Sequence, residues 1–143
     1  MYLSSALVLA AALSLGPDPG AAEAAKLQGT WAVLATEFRG RGVPGQGLDS
    51  QKVVFDGDTV TFHDGGKATK MRYKLDPTLK PRAIDYVPPE GKEKGPILGI
   101  YELDGDTLRL CWDQDRANGR PTDFLTRPGS DLNVWVLKRV KKD

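Results

Sequence analysis

Apolar and polar residues alternate with a period of two along most of this chain. The clearest stretch is Lys70-Met71-Arg72-Tyr73-Lys74-Leu75, where every odd position is apolar or aromatic and every even one cationic. A strand with that pattern buries one face and wets the other. The same alternation predicts strands over 30–38, 52–55, 59–63, 82–87, 97–103, 107–112 and 134–139, with a short piece around Phe124. One phrase is written twice, as Phe55-Asp56-Gly57-Asp58-Thr59-Val60-Thr61-Phe62 and as Leu103-Asp104-Gly105-Asp106-Thr107-Leu108-Arg109-Leu110. Each copy predicts a β-hairpin, because Asp-Gly supplies the positive φ of a tight turn and the flanking alternation supplies two strands with one apolar face. The connections at 39–47, 64–66, 87–91, 118–121 and 128–130 are rich in Gly, Pro, Asn and Asp, and no stretch after Leu27 carries a helical period. The expected fold class is all-β: an antiparallel, hairpin-connected barrel of about eight to nine strands, near the number at which side chains just fill a closed interior.

The N-terminus departs from that pattern. From Ala6 to Leu15 the chain is uncharged and apolar, the length of a signal-peptide core rather than of a finished membrane span. A polar break at 16–20 follows, and then Ala22-Glu23-Ala24, which fits the A-x-A cleavage pattern. The expected organisation is a signal peptide over 1–24 and one domain over 25–143, giving a secreted or periplasmic protein. The segment before the apolar run has no Lys or Arg, so a buried N-terminal helix or a misplaced start codon is the alternative. The one cysteine, Cys111, excludes an internal disulfide, and no cysteine follows the apolar run to carry a lipid, so no stable membrane anchor is expected. Between Leu110 and Trp112, Cys111 reads as a small, inert, partly buried hydrophobe. The 143 residues suit one core, and 20 Lys+Arg against 19 Asp+Glu give no field to attract nucleic acid. A monomer is expected.

Several short motifs stand in order at compatible spacing: Leu27-Gln28-Gly29-Thr30-Trp31, the two Asp-Gly-Asp-Thr hairpins, Lys74-Leu75-Asp76-Pro77, Gly99-Ile100-Tyr101-Glu102-Leu103, Leu108-Arg109-Leu110-Cys111 and Arg120-Pro121-Thr122-Asp123-Phe124. Together, over 26–140, they resemble an uncharacterised lipocalin-like domain family abundant in planctomycete proteins. The resemblance implies a barrel and no particular activity. Gly29-Thr30-Trp31 is also similar to the glycine-any-tryptophan signature of lipocalins. That likeness implies that Gly29 and Trp31 close one barrel end, with a basic residue of the last strand, Arg139 or Lys138, packed on the ring.

Catalysis needs a constellation, and most are missing from the inventory. His63 is the single histidine and has no second His or partner Cys with which to complete a zinc set. No serine lies in a Gly-x-Ser-x-Gly turn, and no glycine-rich run follows a strand and opens a helix. Asp56 with Asp58 and Asp104 with Asp106 have a spacing that could present oxygens to Ca²⁺, but hairpin turns select the same residues. The expectation is therefore no enzyme, no catalytic residue, no metal and no cofactor. Trp31, Tyr73, Tyr101, Trp112 and Trp135 are spread over different strands and either fill the core or leave a cavity at one barrel mouth. In the second case Tyr73, Tyr101 and Trp112 would orient a small apolar ligand. The function expected is an exported, non-catalytic binding or interaction module. Its alternatives are a protein or peptide partner held by the rim loops 39–47 and 88–96, or a hydrolase using an Asp with His63.

Overall fold

The computed structural model describes residues 18–89 and 95–141; the apolar run of 6–15 and the middle of the 88–96 loop lie outside the described residues. Helix α1 (Pro19–Leu27) is followed by β1 (Gly29–Phe38), β2 (Arg41–Pro44), β3 (Gln51–Asp56), β4 (Thr59–Asp64), β5 (Lys67–Asp76), β6 (Arg82–Val87), β7 (Ile97–Asp104), β8 (Thr107–Asp113) and β9 (Leu132–Arg139). From β3 onward each strand pairs antiparallel with the next, and β1 pairs with both β3 and β9. Eight strands thereby close into a barrel and β2 is an extra strand on its side. The alternation accounts for the core. Val53, Phe55, Val60, Tyr86, Leu110 and Leu137, each on the apolar parity of its strand, point inward and are buried.

Both copies of the duplicated phrase turn over two residues, Gly57-Asp58 and Gly105-Asp106. Gly57 has φ 62° and Gly105 φ 58°, while the following aspartates stay at negative φ, so glycine alone occupies the left-handed position. That is the type II′ pattern, with glycine first in the loop. Within 39–47, a connection by its composition, the chain makes another two-residue turn with Arg39 at φ 54° and Gly40 at φ 77° and returns as β2. All four β2 residues are exposed, so no burial alternation marks the strand in the sequence. The registry of β1 slips between Val33 and Ala35, which lets its first half pair β3 and its second half pair β2. Gly45 crosses this bulge and donates its N–H to the Leu34 carbonyl at 2.8 Å. A Cβ there would lie 1.7 Å from the Val33 carbonyl oxygen, so only glycine fits the crossing.

The expected strand around Phe124 is not formed. Residues 114–131 instead cross the outside of the barrel, and Phe124 packs on Ile100, Cys111 and Val134, the positions of β7, β8 and β9 whose parity faces away from the core. Arg109 lays its guanidinium 4.3 Å from the Phe124 ring centroid, and Arg120 ties the segment down through Asp85 Oδ1 (2.7 Å) and the Gly99 carbonyl (2.8 Å). Phe124 satisfies its hydrophobicity against an outer face, which short-range periodicity cannot distinguish from a strand position.

Helix α1 occupies part of the segment expected to be a leader. Asp18 caps it by accepting the Gly20 N–H at 3.0 Å, Pro19 opens its first turn and Leu27 at its end is fully buried. Glu23 is buried beneath it and holds Arg82 of β6 at 2.6 Å and Lys26 at 3.3 Å. Among the described residues, α1 therefore packs with the barrel, although part of it falls within the segment expected as a leader. A cut after Ala24 would fall inside α1 and remove the carboxylate that pairs with Arg82.

Candidate functional site

Strand direction sorts the barrel into two ends. The short hairpins at Gly57 and Gly105 lie at the end where β1 begins and β9 finishes; the longer connections 39–50, 88–96 and 114–131 lie at the other. The first end is closed. Trp31 is wholly buried there and donates its indole N–H to the Leu27 carbonyl at 2.8 Å. Arg139 places its guanidinium 4.4 Å from the Trp31 ring centroid and donates to the Lys26 carbonyl (2.6 Å), the Gln28 carbonyl (3.3 Å) and Asp106 (3.3 Å). Gln28 stitches α1 to the β3–β4 turn, accepting the Gly57 N–H at 2.7 Å and donating to the Tyr73 hydroxyl at 3.0 Å. Gly29 turns the chain from helix into strand at φ 113°. Lys138, the other basic candidate, has the opposite parity to Arg139 on β9.

The second end is open. A cavity of about 490 Å³ enters the barrel there, with Phe62, Tyr86, Trp112 and Trp135 at its base and Asp64, Lys67, Thr69, Asp113, Gln114 and Arg116 around it. The four rings meet mostly edge to face: Phe62 is 5.5 Å from Tyr86, 5.7 Å from Trp112 and 5.6 Å from Trp135, centroid to centroid. The Tyr86 hydroxyl is buried with no hydrogen-bond partner. Burial, with Cys111 nearby as a lesser cause, raises its pKa far above the ordinary phenol value, so it stays protonated.

Of the three residues expected to orient a ligand, the open end receives one. Trp112 lines the cavity. Tyr73 lies at the closed end, where its hydroxyl donates to the Gly57 carbonyl at 2.9 Å, and burial leads the causes that raise its pKa. Tyr101 is also in the closed half, buried four positions before the Gly105 turn, with the Glu23 carboxylate among the groups that raise its pKa after burial itself. Both tyrosines face inward as their alternation requires. Their depth was the missing quantity, and distance from the tight turns carries it: Tyr101 lies near its turn and Trp112 further along β8. Phe62, Tyr86 and Trp135 were missed as a cluster for the same reason.

The remaining candidates are dispersed. His63 has the outward parity of β4, opposite to Phe62, and does not line the cavity at the open end. Asp58 pairs with Arg72 at 2.9 Å and Asp106 with Arg139 at 3.3 Å, on separate hairpins. Among the described residues no three His, Cys, Asp or Glu side chains group as metal ligands. Cys111 is fully buried under the 114–131 segment rather than partly so, and burial, aided by Asp123 and Asp113, pushes its thiol up to about 12. A thiol in that state is a poor nucleophile at neutral pH.

Comparison with family models, with curated proteins and with solved structures returned no match for this chain. Its chemistry must be read from the open end itself. An aromatic base, one unpartnered hydroxyl and a polar rim can bind and orient a small molecule. The same groups present no nucleophile held by a base.

Proposed function

We propose that this chain is an exported, non-catalytic binding module of lipocalin-like form that holds a small apolar molecule in the open mouth of its barrel. The observation that carries the reading is the contrast between a filled core and a 490 Å³ cavity based on Phe62, Trp112 and Trp135. An interior that only needed filling would not leave four large rings bordering a space of ligand size. A peptide added to β2 is the weaker reading, because that edge is four residues long and ends in Pro44, both devices that blunt strand addition.

The test is titration of the full chain with the neutral dye N-phenylnaphthylamine. Saturable enhancement of the dye's emission is expected from the wild type. Thr69→Trp, which fills the mouth from an inward-facing position of β5 outside the core, should abolish it. Absence of saturable binding, or binding that Thr69→Trp leaves intact, overturns the mouth as the site.

A further inference from the structure

The open end specifies more than an apolar guest. Aromatic rings prefer edge-to-face and offset contacts with other rings, so a base built of Phe62, Trp112 and Trp135 favours a flat ring system over a flexible chain, which would also lose rotamer entropy on binding. The buried Tyr86 hydroxyl has no acceptor in the protein. Tyr101 also lacks a partner, but it stands away from the cavity with Glu23 and Arg82 as charged neighbours; Tyr86 borders the cavity and has none. A second buried donor without a partner, the Asn133 amide nitrogen, lies nearer the mouth than Trp135 on the same face of β9.

The charged groups of the rim are unequally engaged. Asp64 accepts from Gln51 at 3.3 Å, Asp113 accepts from the Asp115 N–H at 2.8 Å and from Asn118 at 3.2 Å, and Arg116 donates to the Gly95 carbonyl at 2.9 Å. Lys67 stands opposite Asp64 in the register, and no ion pair joins them. Among the described residues of the rim, its ammonium is the charge for which no ion pair or hydrogen bond is formed.

We propose that the mouth takes a flat aromatic carboxylate carrying a hydrogen-bond acceptor at the end remote from the carboxylate. The rings lie on Phe62, Trp112 and Trp135. The inner acceptor receives the Tyr86 O–H, and the carboxylate stays at the rim beside Lys67, where it keeps part of its water. This assignment rests on the mouth being a ligand site and adds the polarity and direction of the ligand.

Calorimetric titration of the full chain tests it, using a hydroxynaphthoate with hydroxyl and carboxylate at opposite ends, its methyl ester, a naphthoate without the hydroxyl, and decanoate. The hydroxynaphthoate should bind tightest, with the ester and the plain naphthoate each weaker by about tenfold and decanoate weaker than any ring compound. Lys67→Gln should make acid and ester equal. Tyr86→Phe, shown to be folded by its melting curve, should make the two naphthoates equal. If the wild type binds acid and ester alike, or decanoate as tightly as the rings, the assignment falls while the mouth stands as a site. Should no compound bind saturably and the neutral dye also fail, both readings fall together.

Discussion

The two ends of this barrel use the same kinds of residue to opposite effect. At the closed end an indole, a glutamine and an arginine each bond to the backbone of a neighbouring segment: Trp31 to Leu27, Gln28 to Gly57, Arg139 to Lys26 and Gln28. At the open end two indoles and a phenol surround empty space, and the phenol hydroxyl has no partner. Aromatic residues therefore do not by themselves mark a ligand site in a small barrel, and neither does an unsatisfied hydroxyl, which Tyr101 shares; what sets the open end apart is an unsatisfied hydroxyl on a ring that borders a cavity. Satisfied rings stabilise the fold. An orphaned hydroxyl beside a cavity lowers stability in a way that a ligand can reverse.

The sharpest break of this contrast is truncation of one indole at each end. Trp31→Ala should cost about 3–5 kcal/mol, the range for fully buried aromatics, because it opens a void and orphans the Arg139 stack and the Leu27 carbonyl. Trp112→Ala should cost much less, about 1–2 kcal/mol, since its half-buried ring already borders a cavity that the truncation merely enlarges. Urea melts of the two variants measure both values. Equal losses would show that the open end is as much a packed core as the closed one.

Next in size is Glu23→Gln, which keeps the shape of a buried side chain in the middle of α1 and removes its charge. Arg82 would lose its carboxylate partner, with an expected loss of about 1.5–3 kcal/mol for a hydrogen bond between charged groups. A chain beginning at Ala25 should lose at least as much relative to one beginning at Asp18. If these two chains melt alike, α1 is dispensable and the barrel closes without its cap.

How legible was this in the sequence? Alternation at Lys70–Leu75 and the twice-written Asp-Gly-Asp-Thr phrase were enough for an antiparallel barrel, because period-two burial and glycine at positive φ are local requirements. Trp31 and Arg139 could be brought together only through a resemblance, since they meet through pairing across 108 positions. The site was harder. Parity tells which face Tyr73, Tyr101 and Trp112 present and says nothing about height along the barrel, which follows from loop lengths at the two ends. Helix α1 was hidden by composition: Pro-Gly-Ala-Ala-Glu-Ala-Ala reads equally as a cleavage region and as a capped helix, and the residue that Glu23 of the helix pairs with, Arg82, is 59 residues away.

A smaller effect separates the barrel's outside from both ends. Phe124 is only partly buried, so Phe124→Ala should cost about 1–2 kcal/mol, less than a core ring. It should also uncover Cys111. In the wild type the buried thiol, with its pKa pushed up to about 12, should resist iodoacetamide at neutral pH, and the variant should be alkylated at a measurable rate. Fast labelling of the native wild type would show that the 114–131 segment does not stay on the sheet.

The smallest expected effect has the opposite sign and bears most directly on the comparison. Tyr86→Phe removes only an oxygen that has no partner, leaving a ring of nearly the same volume against Phe62 and Trp112. A buried hydroxyl without an acceptor carries a desolvation penalty of about 1–3 kcal/mol, so its removal should stabilise the free protein by about 1 kcal/mol, raising the melting temperature by a few degrees. The equivalent change at the closed end, Tyr73→Phe, should destabilise it, because that hydroxyl accepts from Gln28 and donates to the Gly57 carbonyl. Opposite signs for one substitution at the two ends would establish that the hydroxyl at the mouth is kept at a cost to stability. A loss on Tyr86→Phe would mean that the hydroxyl already has a partner in the free protein, and the distinction between the ends would reduce to the cavity alone.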